Sequence, residues 1–507
     1  GFIPMKLIYG VKDRPKPGQL ILFALQQLLA ILAATITVPM VVNSTTGSDM
    51  SISAALFGAG AGTLVYLLFT KFKSPVFLGS SFAFIGSMCA AFAGGVSMSL
   101  GYLGLIIGAI FAGLVYVVIA VAVKLAGVKW IDKIMPAAVI GPTVALIGLS
   151  LAGSAVSNAV STAYDSATSS YLMNTNSILC LLCALITFAV TVVCSVYGKK
   201  MLKMIPFIIG ILSGYAVAAI FTAFSYIIPG AESLRIIDFT IFQSMDWVPA
   251  FTFIEAFVNA DYVAEGSSIG AYIGTIAVAY IPVAFVVFAE HLADHKNISS
   301  IIETDLLTDP GLSRTLLGDG VGSMVGAFFG GCPNTTYGES VGCVAISGNA
   351  SVVTILVTAI FAMVAAFIAP FVTFLASIPN CVMGGVCIAL YGFIAVSGLK
   401  MVQKVDLNDN GNLFTVSAVL VTGVGGMALT FGKITITAIA CALILGILTN
   451  ALVNIGKKRK ETLAAAAEET AGTGGEAGGA PANKAEEVAA QESEGGQAEA
   501  DEDGKIS

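Results

Sequence analysis

The chain has 507 residues, of which 57% are hydrophobic and only 11% are charged. Soluble domains carry about 25% charged residues, so this composition excludes a soluble globular protein and indicates a polytopic membrane protein. The net charge of −7 arises at the end of the chain, where residues 461–507 contain 12 acidic and 2 basic residues. The acidic balance therefore says little about what the protein binds, and no basic patch suggests nucleic acid.

Apolar runs of about 20 residues predict transmembrane segments, and the chain contains fourteen candidates. They are 18–42, 52–70, 75–95, 102–124, 134–153, 175–196, 204–228, 271–292, 316–331, 333–348, 351–375, 378–399, 413–431 and 434–455. If the N-terminus is cytoplasmic and the segments alternate, almost all lysine-rich connections fall inside, as the positive-inside rule requires. We therefore expect a multi-pass plasma-membrane protein with both termini in the cytoplasm.

An internal repeat relates the two halves of the chain. The sequence GAGAGT at 58–63 recurs as GDGVGS at 318–323, and each copy is followed by a proline, Pro75 or Pro333. Each proline leads into a polar, glycine-containing break in an apolar segment. The offset of about seven segments makes the halves inverted, which is typical of secondary transporters with a binding site at the breaks. Close helix packing alone would explain the glycines, but not the prolines and polar residues.

Ionisable side chains inside membrane segments are costly and usually functional. The candidates are Glu290, His291, Asp294, His295 and Glu339. Glu290 and Asp294 are four residues apart, as are the two histidines, so each pair shares a helix face. A carboxylate–histidine proton relay or a polar helix end explains this cluster. Zinc binding lacks an HExxH motif or a cysteine partner, so no metal site is expected.

Several segments resemble a known transporter family. They are ALQQLLAILAATITVP (24–39), LGSSFAFIG (78–86), VVFAEHLADH (286–295), DLLTDPGLSRTLLGDG (305–320) and GGCPNTTYGESVG (330–342). Over essentially residues 8–455 the chain resembles the nucleobase–ascorbate transporter family. The resemblance implies an all-α polytopic fold with fourteen transmembrane segments in a 7+7 inverted repeat. It also implies two short antiparallel strands, in interrupted segments 3 and 10.

The resemblance further implies a core domain and a gate domain that move against each other, and a homodimer that forms through the gate domains. The expected divisions are 1–17 as a cytoplasmic N-terminus, 18–125 and 271–376 as the core domain, 126–228 and 377–455 as the gate domain, 229–270 as an extracellular connection, and 456–507 as a disordered acidic cytoplasmic tail. The tail is rich in Ala, Gly and Glu and has no apolar stripe.

By resemblance, Glu290 and Glu339 bind the base, Phe82 and Gly338 contact it through backbone groups, and His295 lies near the proton path. Uracil has two N–H donors and two carbonyl acceptors, which two carboxylates and backbone N–H groups at a broken helix would complement. A buried carboxylate that takes up a proton avoids an uncompensated charge, which couples proton entry to base entry. We therefore expect a proton-coupled nucleobase symporter, with uracil as the base, working by alternating access without a cofactor. Sodium stays open as the coupling ion.

Five further residues are candidates for the site: Gln27, Ser81, Asp294, Thr336 and Ser340. The family pattern has histidine where this chain has Gln27, and usually asparagine at Ser340. Gln27 could instead make an interhelical hydrogen bond, Asp294 could face only the cytoplasm, and Thr336 could satisfy broken backbone.

Two other substrate classes stay open. The family's purine and urate members usually carry glutamine at position 339, so Glu339 favours a pyrimidine, with xanthine or another purine as the alternative. A sulfate-type anion transporter of the same 7+7 fold is a further alternative, although two carboxylates oppose anion binding. A channel lacks a ring of like charges. An enzyme lacks a metal or nucleophile constellation, since Cys180 and Cys183 are expected to be small buried residues.

Overall fold

The computed structural model describes residues 7–162, 164–199, 201–258, 260–266, 268–431 and 434–472. Most of them lie in helices, and the packed helices belong to one compact unit that ends at Ala451. The first ten helices are α1 (Pro17–Thr46), α2 (Ile52–Phe69), α3 (Ile85–Ala91), α4 (Met98–Ala126), α5 (Lys129–Ile134), α6 (Ala137–Ser150), α7 (Ala152–Val160), α8 (Thr175–Tyr197), α9 (Met201–Met204) and α10 (Pro206–Ile227). The others are α11 (Thr252–Phe257), α12 (Ile269–Ile302), α13 (Leu312–Gly330), α14 (Gly338–Ser347), α15 (Val352–Ala365), α16 (Ala369–Ala376), α17 (Asn380–Val402), α18 (Asn410–Val424) and α19 (Ala438–Gly472).

Nine helical spans in the described part of the chain are long and apolar enough to cross a membrane, with α6 and α7 counted together. A tenth results if α15 and α16, which meet at an angle of 84°, form one broken span. α13 is long enough but carries Arg314 and Asp319, whereas α3, α14 and α18 are shorter than a bilayer is thick. The protein is therefore a multi-pass membrane protein.

Six short strands form three antiparallel pairs among the described residues. They are β1 (Leu78–Ser80) with β4 (Asn334–Thr336), β2 (Tyr164–Asp165) with β3 (Ser170–Tyr171), and β5 (Leu429–Phe431) with β6 (Ile434–Ile436). The pair β1–β4 joins the two halves in the register Gly79↔Thr335 and confirms the strands predicted in segments 3 and 10.

The other two strand pairs were not predicted. β5 and β6 occupy residues assigned to the ends of segments 413–431 and 434–455, so α18 ends earlier and α19 begins later than predicted. The reason is local: the stretch contains β-branched Thr and Ile residues in alternation, which favour a strand over a helix.

The glycine repeat packs against itself. An added Cβ at Gly58 on α2 would strike the backbone carbonyl of Gly326 on α13, and one at Gly62 would strike that of Gly322. Small residues let two helix backbones approach this closely, so close packing accounts for these glycines. The side-chain amide of Asn334 strengthens the contact, because it donates to the Gly58 carbonyl at 3.1 Å.

The helices fall into two packing groups. In one group α2 packs against α13 and α15, α4 against α12 and α13, and α1 against α15. In the other, α17 packs against α6, α7 and α8, α8 against α10, and α6 against α18. Fewer contacts, chiefly from α1 and α12, join the groups.

The long connection between α10 and α12 is hydrogen-bonded to both groups. Thr222 Oγ1 on α10 accepts from the backbone N–H groups of Ile236 and Ile237, at 3.1 and 3.0 Å. Near the other end, Ser97, the N-cap residue of α4, accepts from the Val263 N–H at 3.1 Å.

Two helices are longer than predicted. α12 continues past 292 to Ile302, because its polar residues are compatible with a helix and the chain turns only at Glu303, whose φ is 53°. α19 continues to Gly472, so the disorder predicted for 456–472 is wrong. Ala, Glu, Lys and Arg dominate this stretch and favour a helix without an apolar stripe. The remainder of the predicted tail, 473–507, lies outside the described residues.

Candidate functional site

The last residue of each glycine repeat fixes the strand of its own half. The backbone N–H of Leu78 in β1 donates to Thr63 Oγ1 at 2.9 Å. At the matching position of the second copy, the Ser323 hydroxyl donates to the carbonyl of Asn334 in β4. The two copies of the sequence repeat therefore make equivalent contacts. These contacts hold both strands among the packed helices.

Each strand leads into a short helix that begins beside one cavity. A 3₁₀ turn, Phe82–Phe84, and α3 follow β1, whereas α14 follows β4 and carries Glu339 in its first turn. A helix N-terminus offers unpaired N–H groups and a partial positive charge. Phe82 and Gly338 both line the cavity, so the start of a short helix from each half borders it.

The cavity has a volume of about 320 Å³ and contains three carboxylates. Glu290 and Asp294 come from α12 and Glu339 from α14. Ala293 and Asn297 of α12 also line the cavity, on the same helix face as Glu290 and Asp294. The two carboxylates predicted to meet, one from α12 and one from the second break, do line the same cavity.

Phe82 contributes an aromatic ring to the lining of the cavity. Its side chain is 7% exposed and packs edge-on against Tyr391 of α17, with ring centroids 5.6 Å apart. The two aromatic rings thus come from different packing groups and meet beside the cavity, which Phe82 lines and Tyr391 does not.

Asp294 faces the cavity and is held in place by a second candidate, Thr336. The Thr336 hydroxyl donates to Asp294 Oδ2 at 2.8 Å, and Thr336 itself does not line the cavity. Thr336 therefore orients a cavity carboxylate. Asp294 lines the cavity, so its role is not limited to the alternative of facing only the cytoplasm.

Gln27 and Ser340 lie together behind the cavity. The Gln27 amide donates to the Ser340 hydroxyl, and that hydroxyl also accepts from the Phe77 N–H at 3.0 Å. Gln27 thus makes the interhelical hydrogen bond given above as its alternative role. Ser81 is buried outside the cavity lining, and its backbone N–H donates to the Pro333 carbonyl at 2.9 Å.

The two histidines lie on the other face of α12, away from the cavity. His291 Nδ1 lies 2.6 Å from Asp319 Oδ2 of α13, and its Nε2 lies 3.0 Å from Thr315 Oγ1. His295 Nδ1 donates to the His291 carbonyl at 2.8 Å, and its Nε2 lies 2.7 Å from the Tyr66 hydroxyl. The structure thus places His295 in a buried network beside the site and not in the cavity wall.

Metal ligands do not cluster among the described residues: no group of three or more His, Cys, Asp or Glu side chains could hold a metal ion there. The charged groups that line the cavity are three carboxylates and the ammonium group of Lys203, and its aromatic lining residues are Phe82, Phe207, Tyr337 and Phe393.

The model of a permease family matches residues 18–432 of the chain. The uracil permease of Bacillus caldolyticus is 38% identical over 449 residues, which cover 88% of this chain and 94% of that protein. The uracil permease of Bacillus subtilis (strain 168) is 36% identical over 459 residues, covering 90% and 97%. The chain belongs to this family, the nucleobase–ascorbate transporters. It is a transporter and not an enzyme.

Two solved structures resemble the permease in fold. The transmembrane domain of a cyanobacterium bicarbonate transporter, BicA, has a TM-score of 0.56 at 15% identity and covers 87% of this chain and 100% of that one. SLC26A9 has a TM-score of 0.60 at 14% identity, with coverages of 87% and 66%. At these identities the likeness shows the fold alone.

Sequence reasoning missed two groups of residues around the permease's site. Asp319 lies inside the predicted segment 316–331, so the rule that singled out Glu290 applied to it as well. The second packing group contributes the opposite wall of the cavity, which no motif indicated. Its residues are Val144, Ser195, Lys203, Pro206, Phe207, Phe393, Ile394 and Ser397.

Proposed function

We propose that this permease imports uracil together with a proton. The observation that carries the proposal is that Glu290 of the continuous helix α12 and Glu339 at the second break line one cavity. Two relatives that align over most of the chain are uracil permeases, which supports the same substrate here.

The cavity groups complement an uncharged pyrimidine ring. Carboxylate oxygens of Glu290 and Glu339 accept from the ring N–H groups, and the backbone N–H groups at Phe82 and Gly338 donate to the ring carbonyls. The Phe82 ring packs against the base. A proton carried by one of the carboxylates lowers the negative charge of the loaded site by one, which ties proton uptake to uracil uptake.

Transport proceeds by alternating access of a core domain (18–125 and 271–376) against a gate domain (126–228 and 377–455). The two packing groups support this division, because each is joined internally by many more contacts than it makes with the other. The nine spans, the bent pair, α13, α18 and the two strand-broken segments support a proposed count of fourteen crossings. Both termini are then proposed to be cytoplasmic, because the count is even and the lysine-rich connections fall on that side. A role for His295 in the proton path and a homodimer stay predictions from the resemblance.

The test is uracil uptake by purified permease in proteoliposomes with an imposed pH gradient. We expect Glu290→Gln and Glu339→Gln each to lower uptake about tenfold or more, because a hydrogen bond to a charged group contributes roughly 1.5–3 kcal/mol. Glu232→Gln is the matched control, since Glu232 is exposed in the extracellular connection, and its uptake should equal that of the wild type. Wild-type uptake in either cavity variant contradicts the proposal.

The same preparation separates uracil from the other substrates. Unlabelled uracil should compete with labelled uracil more strongly than xanthine, and a sodium gradient should not replace the pH gradient. If unlabelled xanthine competed more strongly than unlabelled uracil, the substrate would be a purine instead. Competition by sulfate or bicarbonate would assign an anion, which three cavity carboxylates disfavour.

A further inference from the structure

The cavity contains one basic side chain beside its three carboxylates. Among the described residues that line it, Lys203 is the only lysine or arginine. Lys203 is exposed, and Asn297, which is also exposed, lies two turns beyond Glu290 on α12. The cavity therefore opens to solvent beside Lys203 and Asn297, and the ammonium group belongs to the same lining as the carboxylates.

Lys203 lies on an element that connects the two packing groups. Its helix, α9, packs against α8 and α10 of its own group and against α1 and α14 of the other. The next residue but one, Ile205, packs against Ala30 of α1 and Cys343 of α14. Because α14 also carries Glu339, any displacement of α14 relative to α9 changes the distance between Lys203 and the cavity carboxylates.

A coupled carrier meets an electrostatic problem when it is empty. After the base and the proton have left, it must return through a closed state with its carboxylates charged, since a protonated return would let protons leak. Removing water from carboxylates that have no counter-ion costs several kcal/mol per ion. A flexible lysine that approaches the carboxylates removes much of this cost, and it also favours their deprotonated form.

We propose that Lys203 is the counter-ion of the empty site: its ammonium group pairs with the cavity carboxylates once base and proton have left, and so allows the empty permease to return. The proposal rests on the proposed proton-coupled uptake. It makes Lys203 a positioning residue of the transport cycle and not a contact of the base, because the pairing takes place only when the base is absent.

Two modes of transport separate this role from base binding. Net uptake requires the return of the empty carrier, whereas exchange of internal unlabelled for external labelled base does not. In proteoliposomes containing the full-length protein, we expect Lys203→Gln to lower net uracil uptake about tenfold, equivalent to about 1.4 kcal/mol in the barrier, and to change exchange less than about twofold. Lys203→Arg keeps the charge and should restore net uptake.

The control is Lys199→Gln, which removes the same charge from the same connection but not from the cavity lining, and should leave both modes unchanged. Proton flux without any base, followed with a pH dye inside the vesicles, should rise in Lys203→Gln, because carboxylates that keep their protons permit a protonated return. Equal losses of net uptake and exchange, or wild-type values of both, overturn the role of Lys203. Absence of uracil exchange in the wild type overturns the proposed substrate instead, and the proton-flux comparison then decides on Lys203.

Discussion

Single residues on α12 divide between two tasks according to the face they occupy. The spacing of Glu290 and Asp294 places both in the cavity wall, and the spacing of His291 and His295 turns both towards α2 and α13. One helix thus carries two cavity carboxylates on one side and a buried hydrogen-bond network on the other. We therefore expect a substitution in that network to shift the cavity carboxylates, although the network residues do not line the cavity.

The strongest contact in the network joins His291 to Asp319, both of which are fully buried. We expect Asp319→Ala to lower the free energy of unfolding by about 3 kcal/mol or more, because breaking a buried pair leaves its partner without compensation. Thermal unfolding of the purified protein in detergent measures the effect as a lower midpoint.

Asp309→Ala provides the comparison. Asp309 pairs with Lys73 at 2.5 Å, but its side chain is 61% exposed, and an exposed pair contributes about 0–1 kcal/mol. If the two variants unfold at the same temperature, the His291–Asp319 contact does not support the fold as argued.

At the residue scale, the sequence predicts the parts of the site that a motif carries. Glu290 and Glu339 were singled out because charged residues in membrane segments are few, and Phe82 and Gly338 by the family resemblance; all four line one cavity, and their roles stay predictions. The position of Lys203 in the cavity lining could not be predicted, because a lysine in a connection between apolar segments indicates only an ordinary cytoplasmic charge. Only the fold of α9 against α14 brings it to the cavity.

At the element scale, the paired breaks are the best-predicted feature. Proline and glycine at 333–342 indicated an interrupted helix, and the structure shows β4 followed by α14. Helix ends were predicted less well, because hydropathy measures where a segment leaves lipid and not where its hydrogen bonding stops. α12 and α19 both continue past the predicted apolar segments with residues that favour helices.

The connection before α12 depends on one hydroxyl group. Thr222 Oγ1 accepts from two backbone N–H groups, and Ile237, which supplies one of them, is 1% exposed. We expect Thr222→Val, which keeps the shape of the side chain, to destabilise the protein by about 1–3 kcal/mol, because it leaves buried donors unpaired. Thermal unfolding and faster hydrogen exchange at Ile236 and Ile237 would report the loss.

Thr222→Ser keeps the hydroxyl and serves as the control. It should retain slow exchange at both amides, although it lacks the methyl group. Fast exchange in the serine variant, or slow exchange in the valine variant, would show that another group fixes the connection.

At the scale of the whole molecule, the two packing groups meet on both sides of the cavity but are joined by few contacts at its open end. Ile205 of one group packs there against Ala30 and Cys343 of the other. If transport moves one group against the other, this contact must separate when the cavity closes to this side and opens to the opposite one.

A disulfide at this contact tests that movement, because the chain already supplies one of the two thiols. We expect Ile205→Cys to form a disulfide with Cys343 under mild oxidation, since packed side chains lie within the reach of such a bond. The oxidised variant should lose most of its uracil uptake and exchange, and dithiothreitol should restore both. The chain has nine cysteines, so the oxidised wild type and the oxidised Ile205→Cys/Cys343→Ser variant are required as controls and should both transport. If the variant transports normally while mass spectrometry shows the disulfide, α9 and α14 keep a fixed distance throughout the cycle. In that case the movement that exposes the cavity to the other side takes place elsewhere, and the empty-site pairing of Lys203 cannot depend on it.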